Sequence, residues 1–378
     1  MSKVLIFIDW YLPASRAGGP ISSVVNMVNL LYENFDFFIV TGSKDLNSDN
    51  NLQGVRLNKW QKVGFAEVIY LEKSSQKIET LKEIVNNIKP EIIYVNGIFS
   101  KFFSVLPIYL FKREYSVIIN PRGMFGEGAL EIKKIKKRAF ISFVKISSFY
   151  KNITWHVSNT NEYNQLKSNL NSKLKFHILP NIPRKIEYNK KKKVPDLLKL
   201  ISIGRINQIK NFDFLIKLLL KVEFQCELKI VGHIEELNYY NNLQERIKKL
   251  PANIKVFFTG LLDKNKLDHE IAKSDLLIST SLNENYGHNI VEALGSGTPV
   301  LISEFCPWDS LADFNAGFKV PLDINIFLEK LMFFNQMDEN TYISYNYGAR
   351  NYYEKFIYTK NLKNTYIDLL NKFVCEQD

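Results

Sequence analysis

Residues 284–302 read ENYGHNIVEALGSGTPVLI, and the fold follows from how that stretch divides. Ahead of it, Asp275-Leu276-Leu277-Ile278-Ser279-Thr280 has the character of a strand end. Inside it, Asn289 to Leu294 has helical spacing, and at its close Pro299-Val300-Leu301-Ile302 reads as the next strand. Glu284 to His288 is then a strand-to-helix loop. Gly287 lets the backbone turn tightly, and the amides of His288, Asn289 and Ile290 point out of a helix N-terminus, where phosphate oxygens are favoured. Glu284 and Glu292 flank this anion site, about 12 Å apart if most of the interval is helical. That spacing suits the hexose and ribose ends of a nucleotide sugar. It suits a glycosidase pair poorly, since those carboxylates stand roughly 5 to 9.5 Å apart. Taken alone, the stretch reads equally well as an ordinary glutamate-rich helix start.

Outward from there, strand-like apolar runs alternate with helical stretches along the whole chain, which is the pattern of parallel sheets with crossover helices. The first series runs from Val4 to Leu179. Pro180-Asn181-Ile182-Pro183, the lysine run 190–193 and Pro195 then read as a linker, after which the pattern restarts at Leu200. The expected architecture is α/β, two doubly wound Rossmann-like domains facing an interdomain cleft, with ligands at the carboxyl ends of the strands. The expected boundaries are 1–182, a linker at 183–197, a second domain at 198–350, and C-terminal helices at 351–378 packing back towards the first domain.

A chain of 378 residues, 46% hydrophobic and 24% charged, has the length and composition of two soluble domains. Cys226, Cys306 and Cys375 are scattered, so neither a disulfide framework nor a zinc site is implied, and a reducing cytoplasm is the expected setting. The apolar run Val4–Ile8 is interrupted by Asp9, too short for a signal or a membrane span. The formal charge of +11 is concentrated at Lys133–Arg138 and Lys190–Lys193. The second cluster reads as a solvated linker. In the first, Ile132, Ile135, Ala139, Phe143 and Ile146 fall at helical spacing among the lysines, so residues 131–146 read either as a basic helix meeting an anionic membrane surface or as a surface helix with its apolar stripe in the core.

Two further loops bear on chemistry. Gly18-Gly19-Pro20 opens a helix after the first strand, where backbone amides approach a phosphate, although a plain Gly-Pro helix start has the same sequence. The dinucleotide fingerprint G-x-G-x-x-G is absent there. In the second half, Leu200–Ile203 ends in Gly204-Arg205, and Lys210 follows before the next helix. Two cations from one loop can neutralise a departing diphosphate.

The ordered set of Gly18-Gly19, Pro121-Arg122-Gly123-Met124, Leu179-Pro180-Asn181, Gly204-Arg205 with Lys210, Glu284 with Gly287 and Glu292, and Ser296-Gly297-Thr298-Pro299 resembles glycosyltransferase family 4. It looks like members acting in bacterial surface polysaccharide, O-antigen and capsule assembly. The resemblance implies the GT-B fold, a nucleotide-sugar donor, and retention of anomeric configuration by front-face attack, without an enzyme base. It makes 1–182 the acceptor side and 198–350 the donor side. Glu284 would bind donor-sugar hydroxyls, Arg205 and Lys210 the pyrophosphate, and Glu292 the ribose. Gly18, Gly19 and the loop residues Tyr286, Gly287, His288 and Asn289 would hold sugar and phosphate. Asn96 stands where many members carry a histidine, so an acid–base role there is in doubt. Arg122 and His156 are the other acceptor-side candidates; an arginine fixing its loop and a satisfied strand-end histidine are their ordinary alternatives.

No Asp-x-Asp pair occurs, so no metal or other cofactor is expected. The expected partners are a nucleotide sugar, a saccharide or lipid-linked oligosaccharide, and an anionic membrane on its cytoplasmic face. Nucleic acid is not expected, because the basic residues belong to no recognition module. The alternatives from other classes are a non-catalytic nucleotide-sugar binder and a basic nucleic-acid-binding protein.

Overall fold

The computed structural model describes residues 1–126, 130, 134–147, 149–170, 174–188, 193 and 195–375. It contains two compact units, Met1–Ile182 with Lys360–Asp378, and Pro183–Thr359. The first is built on strands β1 (Ser2–Ile8), β2 (Phe35–Gly42), β3 (Trp60–Val63), β4 (Ala66–Leu71), β5 (Ile92–Asn96), β6 (Ser116–Asn120), β7 (Thr154–Val157) and β8 (Lys175–Ile178). Their order is β3-β4-β2-β1-β5-β6-β7-β8. Every pairing is parallel except the β3–β4 edge. Side chains alternate along β1: Leu5 and Phe7 enter one core, Val4, Ile6 and Ile8 the other. Both faces of the sheet are therefore covered, and the central strands carry apolar runs such as Val4–Ile8 and Ile92–Val95.

The second unit uses β9 (Leu198–Ile203), β10 (Cys226–Val231), β11 (Ile254–Gly260), β12 (Leu276–Ser279), β13 (Val300–Ser303) and β14 (Gly317–Val320), in the order β11-β10-β9-β12-β13-β14. The chain winds from β9 outward to β11, then returns to place β12 on the other side of β9. The loops after β9 and β12 thus diverge at a topological switch point, the place where such sheets bind ligands. The first sheet has the same feature between β1 and β5.

The unit boundaries differ from those expected, for reasons of packing. Residues 183–188 are not a free linker: Ile186 is buried in a core with Ile290 and Leu294, and Tyr188 donates to Asn346 Oδ1 at 2.6 Å. Lys193 is not a solvated charge either, since its Nζ donates to the carbonyls of Asn335 and Met337 at the end of the helix Ile324–Gln336. The rest of the 189–194 lysine run lies outside the described residues. At the other boundary, Tyr352, Tyr353 and Ile357 pack into the second unit, so that unit extends to Thr359. Among the described C-terminal helices, the helix Leu362–Cys375 alone returns to the first, through Tyr366, Leu370 and Phe373.

Candidate active site

The loop after β9 turns through Asn207, whose Oδ1 accepts from Lys210 N at 3.2 Å and so caps the short turn Gln208–Lys210. A Cβ at Gly204 would stand 2.8 Å from Lys210 Cε. Glycine is what lets the lysine stem lie across the strand end. Lys210 Nζ donates to Glu284 Oε2 from the loop after β12, with the two side chains only 17% and 16% exposed. The switch point has brought together two residues 74 positions apart.

Beside that pair begins the helix His288–Ser296. Its N-cap, Gly287, has φ 72° and ψ 61°, and a Cβ there would meet Ile290 Cδ1 at 2.9 Å. The conformation favours glycine, and a larger residue would also have to displace the Ile290 side chain. Asn289 Nδ2 donates to the carbonyl of Ile203 at 2.6 Å, tying the helix start to the end of β9. The Tyr286 ring is edge-on to Trp308 and His288, and its carbonyl accepts from Trp308 Nε1 at 2.7 Å. Tyr286 therefore holds the loop's shape with its side chain. The backbone amides that open this helix, with their dipole, face an anion favourably.

Arg205 is directed by Glu235, which accepts from its Nη1 at 2.6 Å and from Asn207 Nδ2 at 2.5 Å. Glu292 has a partner that the sequence did not disclose. Arg184 Nε donates to Glu292 Oε1 at 2.8 Å, while its Nη1 donates to Asp268 Oδ2 at 2.8 Å and its Nη2 to Oδ1. One guanidinium holds two carboxylates. Burial pushes the Glu292 carboxyl above its ordinary range, opposed by the Arg184 charge. The only signal for Arg184 was a cation at the supposed linker, where charge is ordinarily solvated.

In the first unit the helix Gly19–Leu31 follows Gly18, whose φ of 65° favours glycine although a Cβ there would meet nothing within 4 Å. Asn96 and Arg122 come together: Asn96 Oδ1 accepts from Arg122 Nε at 2.6 Å, and Asn181 Oδ1 accepts from Arg122 Nη1. Arg122 itself has φ 53°.

His156 does not belong with them as an acceptor-facing group. It is 1% exposed, with Nε2 at 3.0 Å from the Leu179 carbonyl and Nδ1 at 2.8 Å from the Tyr94 hydroxyl. A carbonyl only accepts, so Nε2 carries the proton and Nδ1 takes the tyrosine's. Burial, aided by the Arg122 charge, lowers its pKa from 6.5 to about 3. The unfolded chain then binds a proton that the folded chain refuses. Stability falls as pH drops from about 6.5 towards 3, by on the order of 1.4 kcal/mol per pH unit for this group. Urea midpoints measured across that range should show a shallower pH slope in His156→Gln. Equal slopes would remove the assignment.

Residues 183–320 match the family model described as Glycosyl transferases group 1. Over those residues the second unit is similar to group 1 glycosyltransferases. Alpha-monoglucosyldiacylglycerol synthase of Streptococcus pneumoniae is 31% identical over 105 residues, which are 27% of this chain and 23% of that protein. The chain's match thus spans under a quarter of that relative's length. An uncharacterized glycosyltransferase of Methanocaldococcus jannaschii is 21% identical over 79% of this chain and 80% of its own. The crystal structure of Anabaena Alr3699/HepE in complex with UDP-glucose superposes with a TM-score of 0.72 at 13% identity, covering 98% of this chain and 100% of that one. At that identity the likeness speaks to fold, which is GT-B. The matched residues include Arg184, Arg205, Lys210, Glu284 and Glu292.

Proposed function

We propose that the chain is a retaining glycosyltransferase that moves a sugar from a nucleoside diphosphate to a saccharide on a lipid carrier, in surface polysaccharide assembly. The observation carrying this reading is the Lys210–Glu284 pair at the switch point beside the Gly287 helix start. A diphosphate needs cations and oriented amides, a sugar needs a carboxylate for its hydroxyls, and this loop pair offers all three. In the transfer, the bond from the anomeric carbon to the phosphate oxygen breaks as the acceptor oxygen bonds on the same face. The departing phosphate oxygen takes the acceptor proton. Lys210, Arg205 and the helix start meet the charge that develops, so the step uses no metal. Glu284 accepts from sugar hydroxyls. Glu292, held at Oε1 by Arg184, has Oε2 for the ribose diol. In the first unit, Gly18 and Gly19 offer backbone amides to a phosphate, and Arg122 and Asn96 serve the acceptor.

The donor reading is supported by HepE, crystallised with UDP-glucose. The acceptor reading is supported by the Streptococcus relative, whose name makes it a glycolipid synthase. No described helix is long and apolar enough to cross a membrane. The proposed enzyme is peripheral and meets its lipid acceptor at the cytoplasmic face. A thermal-shift panel of nucleoside-diphosphate sugars tests the donor: the true one at a hundred times its Kd should stabilise by about 2.7 kcal/mol. Stabilisation by none of them would sink the reading. Stabilisation without hydrolysis or transfer would leave a non-catalytic binder.

A further inference from the structure

The helix Lys134–Ile146 buries one apolar stripe and exposes another. Ile141 and Val144 are in the core of the first unit, with Phe140 packed against it. Lys137 lies with this inner side, its Nζ 4.9 Å from the centroid of the Phe99 ring. Yet Ile135 is 85% exposed, Phe143 59% and Ile146 87%, and Ala139 is exposed as well. At about 100° per residue these four fall within roughly 80° of one another, centred opposite the buried face. Exposed Lys136 borders the stripe on one side, and exposed Arg138 and Lys145 on the other. The core is therefore already satisfied without the outer stripe, and the two alternatives left by the sequence part here: the stripe at 135, 139, 143 and 146 is not in the core.

Charge decides what covers it. From Ile132 to Asn161 the sequence has no Asp or Glu, while Lys133, Lys134, Lys136, Lys137, Arg138, Lys145 and Lys151 are basic. Two copies of such a face would repel each other. A protein partner would need a matching acidic rim around an apolar groove. An anionic bilayer supplies both layers at once: phosphates for the flanking cations and acyl chains for the stripe.

We propose that the helix Lys134–Ile146 lies in the plane of an anionic bilayer. Ile135, Phe143 and Ile146 enter the acyl boundary, and Lys136, Arg138 and Lys145 meet the phosphates. This deepens the reading of a lipid-linked acceptor and rests on it for its purpose, but it is measured without donor or acceptor, so the two fail separately. The experiment is flotation of the full chain with vesicles of phosphatidylglycerol in phosphatidylcholine, against vesicles of phosphatidylcholine alone. Wild type should bind the anionic vesicles at least about tenfold better, and less so as salt rises. Phe143→Glu with Ile146→Glu should abolish binding at an unchanged melting temperature. Lys136→Glu with Arg138→Glu and Lys145→Glu should lose the preference for anionic lipid. No binding by wild type, or wild-type binding by both variants, would overturn the proposal. So would sedimentation velocity showing a wild-type dimer that Phe143→Glu disperses, since a second copy would then cover the stripe.

Discussion

Lys210→Ala will fold and will lose transfer by on the order of a hundred- to a thousandfold, the usual cost of removing one preorganised donor to developing charge. The effect on the fold should be much smaller. The Lys210–Glu284 pair is largely but not fully buried, so solvent screens part of the cost of leaving Glu284 alone. A loss of about 1 to 3 kcal/mol is the scale for an uncompensated buried polar group. Glu284→Ala should behave alike in transfer, by removing the acceptor of sugar hydroxyls. The double variant separates this from a structural ion pair. If the pair only stabilises the loops, transfer in the double variant should recover with stability. If the two act on one donor, the double variant should be about as inactive as either single. Thermal unfolding and initial transfer rates on the four proteins decide it, and wild-type turnover in Lys210→Ala would end the site assignment.

The parts legible in the sequence share a physical cause. Central strands of a covered parallel sheet are apolar on both faces, so β1, β5 and β12 announce themselves as continuous runs, and the order of elements followed. Strands β3 and β14, which lack such a run, are edges. Trp-Gln-Lys-Val and Gly-Phe-Lys-Val are short and carry a lysine, as edges that must not pair further tend to. The loops after β9 and β12 were legible because glycine, cation and carboxylate stand at short offsets from strand ends. His156 was ambiguous because its burial and its hydrogen bond to Tyr94, 62 residues away, are tertiary features that no local pattern encodes. Periodicity gave an apolar stripe on the helix Lys134–Ile146. It could not say which of two stripes the core would take, since that depends on what packs opposite.

Arg184 is the clearest case of a site residue set by tertiary structure, as its partners Asp268 and Glu292 lie 84 and 108 residues away. Its substitution should have the second large effect. Arg184→Met removes the cation shared by two carboxylates; because Asp268 is 39% exposed and Lys264 also acts on both, the cost should fall below the about 3 to 5 kcal/mol of breaking a fully buried pair. Part of that cost can be escaped by protonation. Burial already pushes the Glu292 carboxyl up, and the Arg184 charge is the largest force holding it down. Without Arg184 the carboxyl rises further and takes up a proton at a higher pH. A protonated Glu292 accepts poorly from a ribose diol, so donor binding in the variant should strengthen as pH rises, more steeply than in wild type. Arg184→Lys should fall between the two, since one ammonium cannot match a guanidinium that meets Glu292 through Nε and Asp268 through both Nη atoms. Donor affinity measured by calorimetry across neutral pH distinguishes this from simple destabilisation, which would lower the melting temperature and leave the pH slope of binding unchanged. An unchanged slope in Arg184→Met would detach Arg184, and the orientation it gives Glu292, from the donor.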